Sequence, residues 1–216
     1  MYRSEEDYLK SIYELSIEQN KTQVKTVELV EVLGYSDQSV NEKIKKLVAK
    51  DYVVFEPYKG VSLTNKGKNE AIRMVRAHRI WEVFLMKELG FSWLDLHGDA
   101  EELEHASSDK VISKLYDYLE RPQYCHHGNP IPDLNGQIPK LATHRLLEKE
   151  IGDNFVIKRV LDQKELLMYL MELDLSLDSE LVVVDKNDFA KEMKVSVGDR
   201  IITIAYTIAV KLFTFN

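Results

Sequence analysis

The middle of this 216-residue chain concentrates side chains that could bind a metal ion. Two imidazoles and two carboxylates occur at the spacing i, i+4, i+7 and i+8: His97, Glu101, Glu104 and His105. On a helix these four side chains lie on one face. Burying them beside a core is costly unless a charge compensates, and a divalent cation would satisfy all four. The spacing therefore indicates a metal site.

Two further groups of possible ligands flank this stretch. His78 and Glu82 form an i, i+4 pair, while Cys125 and His127 add thiolate and imidazole donors within three residues. Each group also has an ordinary explanation. The glutamates near His105 could form a solvated face, and His78 could be an interfacial histidine whose hydrogen bonds are satisfied. Asp7, a further possible ligand near the start of the chain, could be an acid in the first turn of a helix. The clustering of five of the six histidines with the only cysteine favours metal binding.

The cysteine content and the hydropathy limit the cellular compartments in which the protein is expected. A lone cysteine cannot form an internal disulfide, which suits a reducing environment. No stretch approaches the ~20 consecutive apolar residues of a membrane span. The N-terminal sequence MYRSEEDYLK lacks the features of a signal peptide. We therefore expect a cytoplasmic protein with no membrane partner.

The segments before the metal-binding residues have the pattern of a DNA-binding domain. A first helix is predicted over residues 5–19, and a short helix over 26–33 ends at Gly34. Ser36 or Asp37 then caps a second short helix. Two short helices joined by a glycine-containing turn are typical of a helix-turn-helix, whose second helix enters the major groove.

A predicted hairpin follows the second short helix. Residues 52–56 and 61–64 alternate around a turn, at the place where a winged helix-turn-helix has its wing. The candidate DNA contacts belong to the second helix, its cap and the hairpin turn: Ser36, Asp37, Gln38, Ser39, Asn41, Glu42, Lys43, Lys46 and Lys59. The alternative is a three-helix domain with a hairpin that binds no DNA.

The charge distribution keeps DNA binding possible. A net charge of −7 argues against nucleic acid, because phosphate contacts depend on Lys and Arg. However, residues 36–68 hold seven basic and four acidic side chains. The surplus of acids lies outside the N-terminal third of the chain.

Apolar patterns and turn residues predict the secondary structure of the rest of the chain. Helices are predicted over residues 66–89, 94–105 and 108–119, and their apolar faces favour a dimer interface. Residues 121–140 contain four prolines and two glycines, which indicates an irregular connection. Residues 154–216 alternate apolar and polar side chains, as is typical of a small β-barrel.

These features together resemble a known family. The resemblance rests on residues 7–15, the helix-turn-helix, Ala77-His-Arg-Ile-Trp-Glu82, His97-x-x-Ala-x-x-x-Glu104-His105 and Gly128-Asn-Pro-Ile-Pro132. Over at least residues 2–134 the chain is similar to the diphtheria toxin repressor (DtxR/MntR) family of metalloregulators. The resemblance implies a mainly α fold with small β parts. It places a winged helix-turn-helix at 1–74, a helical dimerization and metal-binding domain at 75–140, and a linker with an SH3-like (FeoA-like) β-barrel at 141–216.

The resemblance also implies two sets of metal ligands. The regulatory site falls on Asp7, Glu101, Glu104 and His105, with His78 adjacent. The second site of the longer manganese regulators falls on Glu82, Cys125, His127 and Asp162, and His97 matches an ancillary ligand of the iron-responsive members. Lys10 stands where manganese-responsive members often have a glutamate, which argues against the additional metal position that such a glutamate helps to form.

The implied function is a metal-dependent transcriptional repressor. It would bind double-stranded operator DNA as a homodimer when loaded with Mn(II) and control metal-uptake genes, with no small-molecule substrate beyond metal ions. Carboxylates replace the Met and Cys of the iron-responsive members, which favours Mn(II) over Fe(II), with Zn(II) or Co(II) able to bind in vitro. Gln38 and Glu42 depart from the residues usual at the family's DNA-binding face, so no operator sequence is transferred.

Three alternatives differ in function. An iron-dependent repressor of the same family would use the same architecture. A metal-dependent hydrolase would need a base or nucleophile beside the metal, and the sequence has no HExxH, glycine-rich phosphate loop or Ser-His-Asp candidate. A metal-storage or chaperone protein would not require a helix-turn-helix with a wing.

Overall fold

The structure, a computed structural model, describes residues 2–18 and 20–215 and divides into two compact units. The first unit contains residues up to His78, Glu101–Lys114 and Pro132–Gln137. The second contains Arg79–Ala100, Leu115–Ile131 and the chain from Ile138 onward. The predicted end of the first helix, Gln19, lies outside the described residues.

The first unit begins with three helices, α1 (Arg3–Glu18), α2 (Thr26–Leu33) and α3 (Asp37–Ala49). Gly34 ends α2 with φ +69°, a left-handed conformation that glycine adopts without strain. The Ser36 hydroxyl then caps α3 by accepting a hydrogen bond from the Ser39 amide at 3.3 Å. These local signals position α3 directly after the turn, as a helix-turn-helix requires.

The core of the helix-turn-helix is formed by the apolar faces of α1 and α3. Leu9 and Ile12 of α1 are buried together with Val40 and Ile44 of α3. Apolar spacing in the sequence places Val48 on the same side as Val40, Ile44 and Leu47, but Val48 is 41% exposed. Each helical residue turns by about 100°, so the residue directly after the buried Leu47 faces away from the core.

A two-stranded hairpin follows α3 and forms the wing. Strands β1 (Val53–Glu56) and β2 (Gly60–Leu63) pair in antiparallel register from Val53↔Leu63 to Glu56↔Gly60. The Val24 amide donates to the Val61 carbonyl at 2.8 Å, and this pairing attaches the wing to the segment before α2.

Three further helices carry most of the predicted metal ligands. They are α4 (Asn65–Leu89), α5 (Leu96–Ala106) and α6 (Asp109–Tyr118). Thr64 caps α4, because its hydroxyl accepts a hydrogen bond from the Gly67 amide at 3.0 Å. The boundary between the two units falls within all three helices. Within the described residues no helix combines the length and apolar character of a bilayer span.

The C-terminal part of the chain is a small β domain. Its strands are β3 (His144–Arg145), β4 (Asn154–Val156), β5 (Arg159–Val160), β6 (Glu180–Asn187), β7 (Glu192–Val197), β8 (Arg200–Ala205) and β9 (Leu212–Thr214). The order β3-β9-β5 forms one sheet and β4-β6-β7-β8 forms the other, with antiparallel pairing throughout. The domain also contains helices α7 (Lys164–Glu172) and α8 (Tyr206–Ala209).

The two sheets share one buried core. Phe155, Leu181 and Val195 from the larger sheet are buried in the same cluster as Leu212 from the smaller sheet and Leu167 of α7. Residues 155–161 belong to the alternating pattern of the sequence, but they do not form one continuous strand, because the chain passes from the larger to the smaller sheet between β4 and β5. In the part of the chain that the structure describes, the strands therefore form two small sheets and not one closed barrel.

Candidate metal centres and DNA interface

The first candidate metal centre, called the first metal centre below, lies in the first unit and consists of Asp7, Glu104 and His105. One ligand atom from each residue lies within 4.8 Å of the others. His105 Nε2 is 2.8 Å from Asp7 Oδ1 and 3.5 Å from Glu104 Oε1. Asp7 comes from α1, whereas Glu104 and His105 come from α5, so the cluster joins these two helices.

The Lys10 ammonium group lies inside this cluster. Lys10 Nζ is 3.0 and 2.9 Å from the two carboxylate oxygens of Glu104, 3.1 Å from His78 Nδ1 and 3.6 Å from Glu101 Oε1. His78 Nδ1 is in turn 2.5 Å from Glu104 Oε2. His78 and Glu101 therefore reach the first metal centre through Lys10 and Glu104.

Lys10 balances only part of the negative charge of this cluster, which also contains Asp7 and Glu101. Burial disfavours the charged forms, but the hydrogen bond from His78 and the charge of Lys10 keep the pKa of Glu104 below its usual range. Burial lowers the pKa of Lys10, yet the Glu104 charge outweighs it and the pKa is raised. Burial, together with the nearby Glu101 and Glu104 charges, raises the pKa of Asp7 despite His105. A divalent cation fits here because it would stabilise the ionised carboxylates.

The second candidate metal centre, called the second metal centre below, lies in the second unit and consists of Glu82, Cys125, His127 and Asp162. Ligand atoms of the first three lie within 4.8 Å of one another, and all three residues are buried. His127 Nδ1 is 3.1 Å from Glu82 Oε1, and His127 Nε2 is 3.6 Å from Asp162 Oδ1. His97 lies at the edge of this centre, with its Nδ1 2.6 Å from Asp162 Oδ2.

A close backbone approach brings Asp162 to the other ligands. Gly128 has φ +77°, and a Cβ atom added to it would lie 1.9 Å from the Lys158 carbonyl oxygen. The Val160 amide donates to the His127 carbonyl at 2.9 Å. Glycine at 128 therefore allows β5 to lie against the Cys125–Gly128 segment, and Asp162 follows two residues after β5.

The second metal centre is buried, and its charged groups shift the pKa values of one another. Burial disfavours a charged His127, but Glu82 and Cys125 outweigh it and raise the pKa of His127 to about 11. Burial and Glu82 raise the pKa of the Cys125 thiol. Among the described residues, neither buried ring nitrogen of His127 has a well-aligned hydrogen bond, although both face carboxylates. A cation fits this arrangement, because imidazole, thiolate and carboxylate are all metal ligands. The indole of Trp93 stacks on His127 with ring centroids 5.9 Å apart.

The structure corrects the expectation that one cation would satisfy the four residues on a single face of α5. Glu104 and His105 lie with Asp7, Glu101 approaches the cluster through Lys10, and His97 pairs with Asp162. Eight helical residues extend about 12 Å, which exceeds the reach of one ion's ligands. The four side chains share a face of α5, but they belong to two separate groups of contacting residues.

The sequence does not single out Glu6, Arg73 or Trp93. Glu6 resembles one of several first-turn acids, but its Oε2 lies 2.8 Å from His105 Nδ1. Only its position near Asp7 in the sequence could have indicated this role, and Glu5 also lies near Asp7. Trp93 precedes α5 and has no chemical signature of its role. Only the tertiary structure brings these side chains to the metal centres.

The outer face of α3 presents polar side chains to solvent. Gln38, Asn41, Glu42 and Lys46 are exposed, and Gln38 Nε2 donates to Glu42 Oε1 at 3.1 Å. Other side chains that are predicted to contact DNA form hydrogen bonds within the first unit. Lys43 Nζ donates to the Ser4 hydroxyl at 2.6 Å, Lys59 Nζ donates to Glu56 Oε2 at 2.8 Å, and the Ser36 and Ser39 hydroxyls are 3.0 Å apart. Asp37 is exposed in the first turn of α3.

An aromatic surface lies on α4 and α6 in the second unit. The rings of Trp81 and Phe84 meet edge to face with centroids 5.6 Å apart, and Phe84 lies 6.4 Å from Tyr118. Tyr118 is 62% exposed and Leu89 is 57% exposed. Exposed apolar groups of this kind mark interaction surfaces.

Comparisons with known proteins agree with the fold and identify the family of each part of the chain. Residues 1–61 match the N-terminal DNA-binding domain of iron-dependent repressors, residues 64–133 match their metal-binding and dimerisation domain, and residues 144–214 match the FeoA domain. An uncharacterised HTH-type transcriptional regulator of Methanocaldococcus jannaschii is 38% identical over 121 residues, which are 56% of this chain and 96% of that protein. The iron-dependent repressor IdeR of Mycobacterium leprae is 31% identical over 129 residues, 60% of this chain and 55% of IdeR.

Solved structures extend the similarity to the whole chain. A manganese-dependent transcriptional repressor in complex with manganese is 33% identical with a TM-score of 0.89, covering 97% of this chain and 98% of that one. The manganese regulator SloR is 32% identical with a TM-score of 0.84, covering 97% and 96% of the two chains. Structures of the similar protein ScaR contain Zn²⁺ or Cd²⁺.

A winged helix-turn-helix combined with two clusters of metal ligands defines a metal-responsive DNA-binding protein. The chain belongs to the diphtheria toxin repressor (DtxR/MntR) family and is a metal-dependent transcriptional repressor, with an SH3-like FeoA domain at its C-terminal end. The relatives named above are transcriptional regulators and not enzymes. The family, the fold class and the metal-dependent repressor function that the sequence predicts are thereby confirmed.

Proposed function

We propose that this repressor binds double-stranded operator DNA as a homodimer when Mn(II) is bound, and that it controls metal-uptake genes. The oxygen-rich ligands of the first metal centre, with one imidazole, support Mn(II) as the activating ion. The similarity to manganese-dependent repressors supports the same choice. Fe(II) is the second candidate, because IdeR relatives are iron-dependent. Its DNA partner implies that the protein acts in the cytoplasm.

The observation that carries the proposal is the 2.8 Å approach of Asp7 on α1 to His105 on α5. The activating cation would be held by Asp7, Glu104 and His105, with Glu101 at the margin, and would supply the positive charge that keeps their carboxylates together. Leu9 and Ile12 of α1 pack in the core that contains α3. A restrained α1 therefore restrains the DNA-reading helix.

The proposed switch has an energetic requirement. A ligand shifts a conformational equilibrium only through its different affinities for the two states. A change from a mostly incompetent to a mostly competent repressor needs about 5 kcal/mol of such differential affinity. We infer that the carboxylates of Asp7 and Glu104 provide it, because they belong to different helices and repel each other without a cation.

The second metal centre has a different proposed role. Glu82, Cys125, His127 and Asp162 would hold an ion there, with His97 positioning Asp162. Asp162 lies in the FeoA domain and the other ligands lie on α4 and on the segment after α6, so the centre would attach this domain to the helical body of the second unit. Its thiolate favours softer ions, such as Zn(II) or Co(II), more than the first metal centre does.

The proposed DNA interface consists of α3, its cap and the wing. Gln38, Asn41 and Glu42 would face base edges, while Lys46 and Lys59 would contact phosphates. Lys43 would need to leave Ser4 to reach DNA. Two heads are needed to read two half-sites, and the aromatic surface of Trp81, Phe84 and Tyr118 is the proposed contact between copies.

Fluorescence anisotropy tests the proposed function. The probe is a labelled duplex selected from a random-sequence pool by the Mn(II)-loaded protein, titrated at fixed salt with and without Mn(II). We expect Mn(II) to increase the affinity of the wild type at least tenfold and to have little effect on Glu104→Ala. The control is Glu102→Ala, because Glu102 lies on the same helix but binds the exposed Arg3. Equal affinity with and without metal, or a normal response of Glu104→Ala, would contradict the proposal.

A further inference from the structure

One buried carboxylate next to the first metal centre is not part of its ligand set. Glu6 is 9% exposed and lies on α1 directly before Asp7. Its Oε2 is 2.8 Å from His105 Nδ1, whereas Asp7 Oδ1 is 2.8 Å from His105 Nε2. The two ring nitrogens point in different directions. A cation bound at the Nε2 side is therefore separated from Glu6 by the imidazole ring.

The Glu6 carboxylate can fix the tautomer of His105. An ionised carboxylate only accepts hydrogen bonds, so it favours a proton on the Nδ1 atom that it faces. Asp7 and Glu104 face Nε2, so a cation bound between them would replace a proton at Nε2 and receive the lone pair of that atom. Histidines that bind metals commonly donate their other N–H group to a carboxylate in this way, and the contact fixes the ring orientation and increases the basicity of the ligand.

Arg73 holds Glu6 from another side. Arg73 Nη2 donates to Glu6 Oε1 at 2.8 Å, leaving Oε2 to His105. The same guanidinium donates to Glu70 through Nε at 2.7 Å and lies 3.8 Å from Asp109. The two oxygens of Glu6 thus have separate partners, and Arg73 connects α4 to the carboxylate that orients His105.

We infer that Glu6 and Arg73 are positioning residues for the first metal centre. Glu6 holds His105 with Nε2 directed at the cation, and Arg73 holds Glu6 in the position that this requires. The inference rests on the proposed function, because it assumes that the activating ion binds at Asp7, Glu104 and His105. It adds a requirement for two residues that do not contact the ion.

Mn(II) affinity tests this role in the full-length protein. The free Mn(II) signal in electron paramagnetic resonance gives the dissociation constant at fixed pH. We expect Glu6→Leu to weaken binding at the first metal centre by about 10- to 100-fold. Glu6→Gln, which keeps an acceptor but not the charge, and Arg73→Gln should weaken binding in the same direction by less. The matched control is Glu5→Gln, because Glu5 is also a buried acid of α1 but faces Lys50 at 2.6 Å.

A second readout distinguishes positioning from a general loss of packing. Nitrogen-15 spectra of histidine side chains in the protein loaded with diamagnetic Zn(II) report which ring nitrogen carries the proton, and comparison with His105→Asn assigns the His105 signals. We expect the Nδ1–H form of His105 in the wild type and in Glu5→Gln. In Glu6→Leu the signals should shift towards the Nε2–H form. A wild-type His105 protonated mainly on Nε2 would overturn the inference.

The outcomes separate this inference from the proposed function. If the wild type shows no Mn(II)-dependent DNA binding by anisotropy, the proposed function fails. If the wild type responds while Glu6→Leu binds Mn(II) with the same affinity and keeps the same tautomer, only the positioning role is overturned. If circular dichroism shows that Glu6→Leu does not fold, the nearly isosteric Glu6→Gln decides, and wild-type affinity in that variant overturns the inference.

Discussion

Single residues in the first metal centre show how the chain balances charge before any ion binds. The Lys10 ammonium contacts both oxygens of a carboxylate that is 1% exposed, Glu104, and also lies beside His78. A fixed cation of this kind occupies the space in which a second ion could bind. The site as built therefore favours one exchangeable ion, bound on the Asp7 and His105 side of Glu104.

Replacing Lys10 tests how much this charge balance contributes to the free energy of unfolding. In metal-free Lys10→Met, Glu104 loses its charge partner while it stays buried, and breaking a buried ion pair costs about 3–5 kcal/mol. Urea denaturation of the metal-free protein should show a loss of this size, and excess Mn(II) should stabilise the variant more than the wild type. Lys59→Met removes an exposed pair with Glu56 and should leave the stability nearly unchanged. Equal stability of Lys10→Met and the wild type would contradict this assignment.

Proton release provides a test of the second metal centre. The pKa of His127 is raised to about 11 and that of Cys125 is also raised, so both groups hold a proton in the metal-free protein at neutral pH. A metal displaces these protons, and its affinity should therefore rise with pH. Calorimetry in buffers with different ionisation enthalpies, using Asp7→Asn to weaken the first metal centre, should detect proton release upon Zn(II) binding. A binding enthalpy that is independent of the buffer would contradict this account.

At the scale of elements, helix termini and close approaches decide which residues meet. The sequence predicts α1 to α6 well, because caps such as Ser36 and Thr64 and helix ends such as Gly34 are local signals. The ligands on α1 and α5 could be named from the resemblance to the family. The resemblance also separates His97 from the regulatory site, whereas helical spacing alone could not, because the division depends on how α5 packs at each end. The small β domain was harder for a related reason: β3 and β9 pair across about 70 residues.

Gly128 gives an element-scale prediction. Gly128→Ala would place a methyl group against the Lys158 carbonyl and force β5 away from the Cys125–Gly128 segment. Asp162 should then separate from His127, so the variant should lose the second ion and keep the first. Native mass spectrometry with Zn(II) and Mn(II) would count the ions. Gly136→Ala is a suitable control, because Gly136 also has a positive φ but no atom within 4 Å of an added Cβ. Retention of both ions by Gly128→Ala would contradict the prediction.

At the scale of the whole molecule, repression requires two DNA-binding heads at a fixed separation. The aromatic surface of α4 and α6 is the proposed contact between two copies. The sequence indicates a dimer through its apolar helical stripes, and the match to a metal-binding and dimerisation domain agrees with that prediction. Which aromatic side chains remain exposed could be seen only from the packing of the helices.

A charge on this surface should separate the copies. Phe84→Asp would bury an unpaired carboxylate in the interface, so the variant should sediment as a monomer and lose most of its affinity for the selected duplex. Phe189→Asp is the control, because Phe189 is 99% exposed in the turn between β6 and β7. Analytical ultracentrifugation checks the result. A Phe84→Asp variant that remains dimeric would locate the interface elsewhere.

The central claim is that one cation joins α1 to α5, and anomalous diffraction from Mn(II)-loaded crystals tests it most directly. We predict an anomalous peak between the side chains of Asp7, Glu104 and His105, with Glu6 on the opposite edge of the imidazole ring. A structure in which Asp7 points away from Glu104 and His105, with no peak among these three residues at saturating Mn(II), would contradict the account.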